Sequence, residues 1–204
     1  WLATQTIQEY MKNASGVYNY TPHWFNASKT GYTTNNTQKT VSGNVVATIV
    51  LNAAPAVSLN APLNAAWSAT RNVNFTFTPT DDGGFSNCTT EIWYENGTFI
   101  NNTDWNTSNI ANNSVNGINY TFAADGNYTW NVLCWDNGFT PLSNQGSSNR
   151  TVFVDATPPV VAWSASMPAN QSVMNQDYVY WNCSFTETNP ASCSVEVNGT
   201  NKTG

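Results

Sequence analysis

Short runs in which apolar and polar residues alternate dominate this chain. Three lie in its middle, at residues 72–77 (NVNFTF), 129–134 (TWNVLC) and 150–154 (RTVFV), and a fourth (YVYW) lies at 178–181. Alternation with a period of two places successive side chains on opposite faces, which is typical of strands with one face in a core. Turns rich in Gly and Asn separate the runs at the spacing expected of a sandwich. The pattern predicts an all-β protein, with a short amphipathic helix only at residues 2–11.

A repeat becomes visible when two segments of the chain are compared. The pattern of residues 54–77 returns at 158–182, beginning with Ala-Pro-Ala-Val in the first copy and Pro-Pro-Val-Val in the second. Each copy then reaches a cysteine after the same interval and continues into an alternating run that leads to Asn-Gly-Thr. The repeat predicts one complete sandwich at 54–155, a stiff proline-rich joint, and the first part of a second sandwich at 156–204. Residues 1–53 do not share the repeat, and we expect them to be a separate, partial β-sandwich.

Charge is scarce in this sequence. Only 9% of the 204 residues are charged, against roughly 25% in an ordinary soluble domain. The 32 Asn, 27 Thr and 17 Ser supply the polar surface instead, and nine residues each of Trp, Tyr and Phe can bury a core. A net charge of −6 with six basic residues gives no electrostatic basis for binding nucleic acid or anionic membranes.

Nothing in the sequence predicts a membrane span. The longest apolar run, at residues 45–51, is too short to cross a bilayer. The sequence also begins without an initiator Met or a signal peptide. We therefore expect it to be processed or to be a segment of a longer protein.

Sequons for N-glycosylation, Asn-x-Ser/Thr with x other than Pro, are unusually frequent. The chain holds 17 of them, whereas its composition would give about seven by chance. An Asn- and Thr-rich β-protein generates some sequons passively, but a twofold excess needs a further cause. Sequons are modified only where the chain meets a transferase outside the cytoplasm. We therefore expect an extracellular glycoprotein that carries N-linked glycans at many of these positions. The sequon asparagines are Asn13, Asn19, Asn26, Asn35, Asn74, Asn87, Asn96, Asn101, Asn106, Asn112, Asn119, Asn127, Asn149, Asn170, Asn182, Asn198 and Asn201.

The cysteines agree with an extracellular location. There are four, an even number, with no Cys-x-x-Cys spacing, and they lie in two separate neighbourhoods of the chain. A zinc site is the alternative, but the chain has a single histidine. Disulfides are therefore the better interpretation.

One stretch of the sequence resembles a known class of module. Residues 125–138 (DGNYTWNVLCWDNG) resemble the late strand and turn of Ig-like and PKD-type extracellular modules. Together with NRTVFVDATPP at 149–159, they are similar to the tandem Ig-like repeats of archaeal surface proteins. The likeness covers residues 54–204 and implies tandem Ig-like β-sandwiches at a cell surface. Residues 1–53 resemble, over a shorter stretch, the last strands of a carboxypeptidase-regulatory-like (transthyretin-like) sandwich, through a Gly-Tyr turn followed by an apolar strand.

The Ig-like resemblance implies a pairing of the cysteines. In such a sandwich, strands C and F are neighbours in one sheet, and Cys88 falls near the start of C and Cys134 near the end of F. We expect a cross-strand bridge between these two, and a second bridge from Cys183 to Cys193 across the B–C turn of the next copy. In the alternative, Cys193 pairs with a strand F beyond residue 204.

The same resemblance brings four oxygen-bearing side chains to one end of the sandwich. Asp81 and Asp82 lie in the B–C turn, and Asp136 and Asn137 lie in the F–G turn. Carboxylate and amide oxygens are ligands for Ca²⁺, which is the one cofactor that the sequence offers. The alternative is that these residues form Asx turns, in which the side chain bonds to its own backbone.

No catalytic constellation emerges from the sequence. The single histidine, His23, lies in an aromatic, Asn-rich segment with no nucleophile arranged beside it, so a structural role is favoured. The acidic residues are five Glu and seven Asp, and among them Asp125 and Asp155 lie in turn or linker contexts. We therefore expect a protein that is not an enzyme.

Two functions remain. The first is structural: a subunit or segment of a cell-surface filament, pilus-like appendage, sheath or S-layer, with copies of itself as partners. Half-domains would then be completed by strands of a neighbouring subunit or by further residues of the same chain. The second is an adhesin or carbohydrate-binding spacer of a larger secreted protein. Its sugar platform would use Trp93, Tyr94, Trp130 and Trp135, although alternation makes at least one of each adjacent pair a core residue.

Overall fold

A computed structural model describes residues 10–19, 21–41, 48–104, 110–164, 169, 171–177, 182–190, 192–197 and 200–203 of the chain. These residues form strands, turns and bends with no helix, so the predicted all-β fold class is confirmed. It follows that none of the described residues form a helix able to cross a membrane. The predicted helix is contradicted at its end, because Tyr10 and Met11 belong to a strand; residues 2–9 lie outside the described residues, as does the run at 178–181.

Two hairpins precede the central part of the chain, and two follow it. The first pair is β1 (Tyr10–Asn13) with β2 (Gly16–Asn19) and β3 (His23–Ala27) with β4 (Asn35–Lys39). The last pair is β14 (Val160–Trp163) with β15 (Cys183–Thr186) and β16 (Ser194–Val197) with β17 (Thr200–Thr203). Residues 48–51, which end the apolar run expected as a terminal strand, are not in a strand.

Nine strands form a central sandwich of two sheets. One sheet has the order β10-β7-β5, and the other has the order β6-β13-β11-β8-β9, with β12 also paired to β11. All of these pairings are antiparallel except that of β6 with β13, which is parallel. The nine strands are β5 (Ala56–Ala61), β6 (Ala66–Ser68), β7 (Asn72–Thr80), β8 (Phe85–Tyr94), β9 (Phe99–Asp104), β10 (Asn116–Thr121), β11 (Gly126–Asp136), β12 (Ser143–Gln145) and β13 (Arg150–Val154).

The core lies between the two sheets and is built by alternation along β7 and β11. Strand β7 buries Val73, Phe75, Phe77 and Pro79 and turns the residues between them outward. From the opposite sheet, Trp130 on β11 is fully buried, and its ring lies 4.7 Å from that of Phe75, centroid to centroid. This contact of large aromatic side chains removes apolar surface from water, which is the main force that holds two sheets together.

Arg150 connects the two sheets, because it begins β13 in one sheet and bonds to the end of β5 in the other. Its guanidinium group donates hydrogen bonds to the carbonyl oxygens of Leu59, Asn60 and Pro62, at 2.6, 3.0 and 3.0 Å. The same group lies over the Trp130 ring at 5.9 Å from the centroid. A planar fork of donors suits this task, because one side chain satisfies several carbonyl groups at once.

A disulfide lies inside the sandwich where the sequence predicts one. Cys88 on β8 and Cys134 on β11 are direct cross-strand partners, both fully buried, with their Cα atoms 4.0 Å apart. The predicted Cys88–Cys134 bridge is confirmed. The second predicted bridge is not formed, and both of its cysteines are free. Cys183 lies in β15 opposite Trp163, whereas Cys193 is exposed and precedes β16, which belongs to a different sheet.

The last two hairpins repeat pairings of the central sandwich. β14 pairs with β15 as β5 pairs with β7, and β16 pairs with β17 as β8 pairs with β9. The strands described after the proline-rich joint therefore follow the order of β5, β7, β8 and β9, with no counterpart of β6 among the described residues. The predicted domain ranges 1–53, 54–155 and 156–204 stay predictions.

Removal of the buried disulfide should destabilise the sandwich strongly. The bridge joins residues 46 positions apart, for which the chain-entropy model gives a stabilisation of about 4 kcal/mol. We expect the double variant Cys88→Ala and Cys134→Ala to lose about that much free energy of unfolding in a denaturant titration. The matched control is Cys183→Ala with Cys193→Ala, which removes two free thiols. Equal effects in the two double variants would contradict the assignment.

Candidate functional site

A buried carboxylate closes one end of the sandwich. Asp136, the last residue of β11, is fully buried, and both of its oxygens accept hydrogen bonds. Oδ1 accepts from the backbone N–H groups of Gly138 and Leu142 at 3.0 and 3.1 Å, and Oδ2 accepts from Nδ2 of Asn52 at 2.9 Å. A buried carboxylate is tolerated only with such compensation, so this set of donors fixes the turn after β11.

Asn52 connects the first segment of the chain to this end of the sandwich. The side chain is only 8% exposed, and Nδ2 also donates to the carbonyl oxygen of Thr140 at 2.9 Å. The Asn52 carbonyl oxygen in turn accepts from the backbone N–H of Thr33 at 2.8 Å. Gly138 permits this contact, because a Cβ atom there would lie 2.3 Å from the Asn52 amide oxygen. We call this group, Asn52, Asp136, Gly138 and Thr140, the upper joint.

The predicted calcium ligands lie at the same end of the sandwich, and two of them already accept hydrogen bonds from N–H groups. Asp81 caps its own turn, because Oδ2 accepts from the backbone N–H groups of Gly83 and Gly84, both at 2.8 Å. This is the Asx-type alternative. Asp82 is exposed, and Asn137 lies against the same turn, donating its backbone N–H to the Gly84 carbonyl oxygen at 3.1 Å.

Calcium at this end stays a prediction. Asp136 uses both of its oxygens on N–H donors, which a cation would have to displace. The Asp81 Oδ1 atom is buried with no hydrogen-bond partner among the described residues. Ca²⁺ takes roughly six to eight oxygen ligands. Across the described part of the chain, no group of three or more His, Cys, Asp or Glu residues is arranged to hold a metal.

An exposed ion pair marks the other end of the sandwich. Nε of Arg71 lies 2.9 Å from Oδ1 of Asp125, and Oδ2 of Asp125 accepts a hydrogen bond from the Thr157 hydroxyl. The hydrogen bonds from Arg71 and Thr157 lower the pKa of Asp125 to about 2, so the carboxylate is ionised at neutral pH. Nearby, the N–H of Asp155 donates to the Ser68 carbonyl oxygen at 2.9 Å. We call Arg71, Asp125 and Thr157 the lower joint.

The sequon asparagines avoid the interior. Eleven of them have side chains that the structure describes, and none of these is buried. Three other asparagines, Asn52, Asn116 and Asn131, are buried, and none of these three begins a sequon. Eight of the eleven are exposed: Asn13, Asn26, Asn74, Asn96, Asn112, Asn119, Asn149 and Asn182. Three are half-buried: Asn35, Asn87 and Asn127.

The structure does not describe the asparagine side chains of the other sequons. Asn106, Asn170 and Asn198 lie outside the described residues. The structure describes the backbone of Asn19, Asn101 and Asn201 in strands but not their side chains.

The four aromatic residues of the predicted sugar platform do not lie together. Trp130 is a fully buried core residue, whereas Trp93 and Trp135 are half-buried on the outer side of their strands. Tyr94 is exposed, and its ring centroid lies 5.9 Å from that of Tyr128. Alternation along the strands therefore explains why Trp130 faces the core while Trp93 and Trp135 face outward. His23 is half-buried in β3, opposite Lys39.

Sequence reasoning missed Asn52, Arg71 and Thr157, the residues that form the joints with the two aspartates. Asn52 and Asp136 are 84 positions apart, and Arg71 and Asp125 are 54 apart. Composition could have pointed to Arg71, because the chain has only two arginines and each is therefore a good candidate for a specific ion pair or hydrogen bond.

Comparison with known proteins assigns no family to this chain. The chain matches no model of a known protein family, and a search of curated protein sequences finds no match either.

Loss of the Asn52 side chain should weaken the upper joint. Asn52→Ala removes two hydrogen bonds and leaves one Asp136 oxygen buried without that donor, which costs about 1–3 kcal/mol. Denaturant unfolding is the measurement. Asn36→Ala, at an exposed asparagine of β4, is the control and should change stability by less than about 0.5 kcal/mol. A loss at Asn52 no larger than the control would show that the joint carries no energy.

Proposed function

We propose that this chain is part of an extracellular, N-glycosylated structural protein in which β-sandwiches follow one another as a stiff rod. The observation that carries the proposal is that the central sandwich is fastened at both ends. The upper joint holds residues that precede it, and the lower joint holds residues that follow it. The chain acts in this proposal as a scaffold and not as an enzyme.

The joints matter because unfastened linkers let neighbouring modules move freely. At the upper joint, a buried asparagine connects residues 32–33 of the first segment to the turn after β11. At the lower joint, Pro158 and Pro159 stiffen the connection directly after Thr157, whose hydroxyl bonds to Asp125. Hydrogen bonds at each end, with a proline pair at one, restrict the angle between consecutive modules. A restricted angle is what a filament or a lattice requires.

The surface of the sandwich favours glycosylation. On the outer side of the three-stranded sheet, Asn74 on β7 and Asn119 on β10 are exposed sequon asparagines that face each other across the strands. With 9% charged residues, such a sheet has little repulsion to keep molecules apart. Bulky neutral glycans would keep these sheets separate and soluble.

The hairpin after the lower joint offers a surface for assembly. Its apolar residues Val160, Val161, Trp163 and Phe185 are exposed, whereas Val57 in the first copy packs against the core. Covering strands would come from a neighbouring copy, as in strand complementation, or from the same protein chain. The partners of this proposal are therefore copies of the same protein, assembled as a filament, pilus-like appendage, sheath or S-layer.

Glycopeptide mass spectrometry of the protein from the surface of its native cells tests this proposal. We expect N-linked glycans at most of the eight exposed sequon asparagines, because the folded chain leaves room for them. The exposed non-sequon asparagines Asn36 and Asn144 serve as internal controls and should be unmodified. Recovery of the protein from the cytoplasm, with all sequons unmodified, would contradict an extracellular glycoprotein.

A further inference from the structure

Four aromatic side chains lie on the outer face of the six-stranded sheet, opposite to the core. Trp67 on β6 is 60% exposed and lies 4.9 Å from Phe153 on β13, centroid to centroid. Phe99 on β9 is 48% exposed and meets Trp93 on β8 edge-to-face at 5.9 Å. Ile92, Val152 and Val154, which flank Trp93 and Phe153 along their strands, are buried, so these two rings point outward. The cross-strand register places Phe99 beside Trp93 and Trp67 beside Phe153 on the same side. We call these four residues the aromatic face.

A sequon lies between the two aromatic pairs. Asn127 and Thr129 on β11 form the first and third positions of Asn-Tyr-Thr, and both are half-buried. Tyr128 between them is buried in the core, so alternation puts the asparagine and the threonine together on the outer side. The amide of Asn127 and the hydroxyl of Thr129 therefore lie on the same side of the sheet as the aromatic face.

The register of the strands places aromatic rings on two sides of Asn127. Phe153 is its direct partner on β13, and Trp67 is in turn the partner of Phe153 on β6. On the other side, Trp93 is the direct partner of Thr129 and is thus a diagonal neighbour of Asn127. Diagonal positions lie about 7–8 Å apart, within reach of aromatic and other long side chains.

The charged residues near the aromatic face favour a neutral ligand over an acidic one. Glu91 and Glu95 are on β8 or directly after it, and the two arginines of the chain bond elsewhere, Arg71 to Asp125 and Arg150 to carbonyl groups between the sheets. Burial raises the pKa of Glu91, and no ion pair with a cation is seen for it among the described residues. Carboxylates without a cation repel acidic polymers but accept hydrogen bonds from hydroxyl groups. Neutral sugars, with apolar ring faces and many hydroxyls, fit both the rings and the carboxylates.

We propose that the aromatic face is covered by the chain's own N-linked glycan at Asn127, whose first sugars stack on Trp67, Phe153 and Trp93. The inference rests on the proposed glycosylation of the chain and concerns a single sequon, whose glycan would be part of the fold. Free oligosaccharides and a second protein copy are the other possible occupants, and the experiment below separates them.

The chemistry of attachment leaves the local hydrogen bond in place. A lipid-linked oligosaccharide phosphate is the donor: a bond forms between Asn127 Nδ2 and C1 of the first sugar, the bond from C1 to the lipid phosphate breaks, and one amide proton is released. Nδ2 keeps one N–H. In the structure, Nδ2 of Asn127 donates to a carboxylate oxygen of Glu95 at 3.3 Å, and the remaining N–H can continue to do so. This bond would hold the amide, and with it the first sugar, at a fixed angle over the sheet.

Asn119 provides a matched sequon without an aromatic neighbour. It lies on the outer side of the three-stranded sheet, and its cross-strand partner is Asn74. Gly117 and Thr121 flank it on the same side of β10. A glycan at Asn119 would extend into solvent, so its removal should have little effect on folding.

The test uses the full chain made in two hosts, one that glycosylates sequons and one whose oxidising periplasm forms disulfides but lacks the transferase. Each host produces the parent, Asn127→Gln, Asn119→Gln and Trp67→Ala. Glycopeptide mass spectrometry gives the occupancy of each sequon. Thermal unfolding gives stability. Quenching of tryptophan fluorescence by acrylamide gives the combined exposure of the nine tryptophans, and comparison with Trp67→Ala assigns the part that comes from Trp67. In the glycosylated form, we expect Asn127→Gln to lower the melting temperature by about 4 °C or more and to raise quenching, and Asn119→Gln to do neither.

The unglycosylated proteins separate the glycan from the side chain. There, Asn127→Gln and Asn119→Gln should behave alike, and a Trp67→Ala variant should lose less stability than it does in the glycosylated protein. If other sequons are occupied and Asn127 is not, or if its glycan changes neither stability nor quenching, the inference is wrong while the proposed function stands. Binding of a free oligosaccharide to an unmodified Asn127 would also overturn it. If no sequon is occupied in the native protein, the proposed function itself fails.

Discussion

The pairing of β8 with β11 is the interaction on which the rest of the structure depends. It extends from Tyr128 opposite Tyr94 to Asp136 opposite Phe85, and the buried disulfide lies within it. The inward side of β11 gives Trp130 to the core, and its last residue gives the carboxylate of the upper joint. Asp125, which anchors the lower joint, directly precedes this strand. One strand thus connects the core, both joints and the aromatic face, so a shift in its register would break all of them.

Local pattern was sufficient to predict several strands of the central sandwich, whereas the first disulfide was predicted from the Ig-like resemblance. Alternation identified β7, β11 and β13, because a sheet with one buried face has a period of two whatever its partners. Alternation could not predict partners distant in the chain. The parallel pairing of β6 with β13, which brings Trp67 to Phe153, joins residues far apart in sequence and has no local signature. Nor could it predict that Asn52, which is remote in the chain, donates to an oxygen of Asp136, one of the predicted calcium ligands.

Hydrogen bonds and aromatic packing hold the described residues together with very little charge. Asn52, Asn116 and Asn131 are buried and bonded, while the eleven sequon asparagines with described side chains are exposed or half-buried. Among the described residues, asparagine thus occupies two kinds of position. Where it is buried, its amide joins separate segments of the chain; where it begins a sequon, it lies at or near the surface. Such a division suits a scaffold that works outside the cell, where a polymer gains more from fixed angles and a glycan coat than from a reactive site.

Electron microscopy of the assembly in its native state shows whether modules follow one another at fixed angles. We expect a regular filament, sheath or lattice built from β-sandwiches, with density for glycans beside exposed sequons such as Asn74 and Asn119. Density should be continuous through both joints, at Asn52 with Asp136 and at Asp125 with Thr157. Isolated molecules whose modules adopt variable angles, with no polymer or lattice, would contradict it.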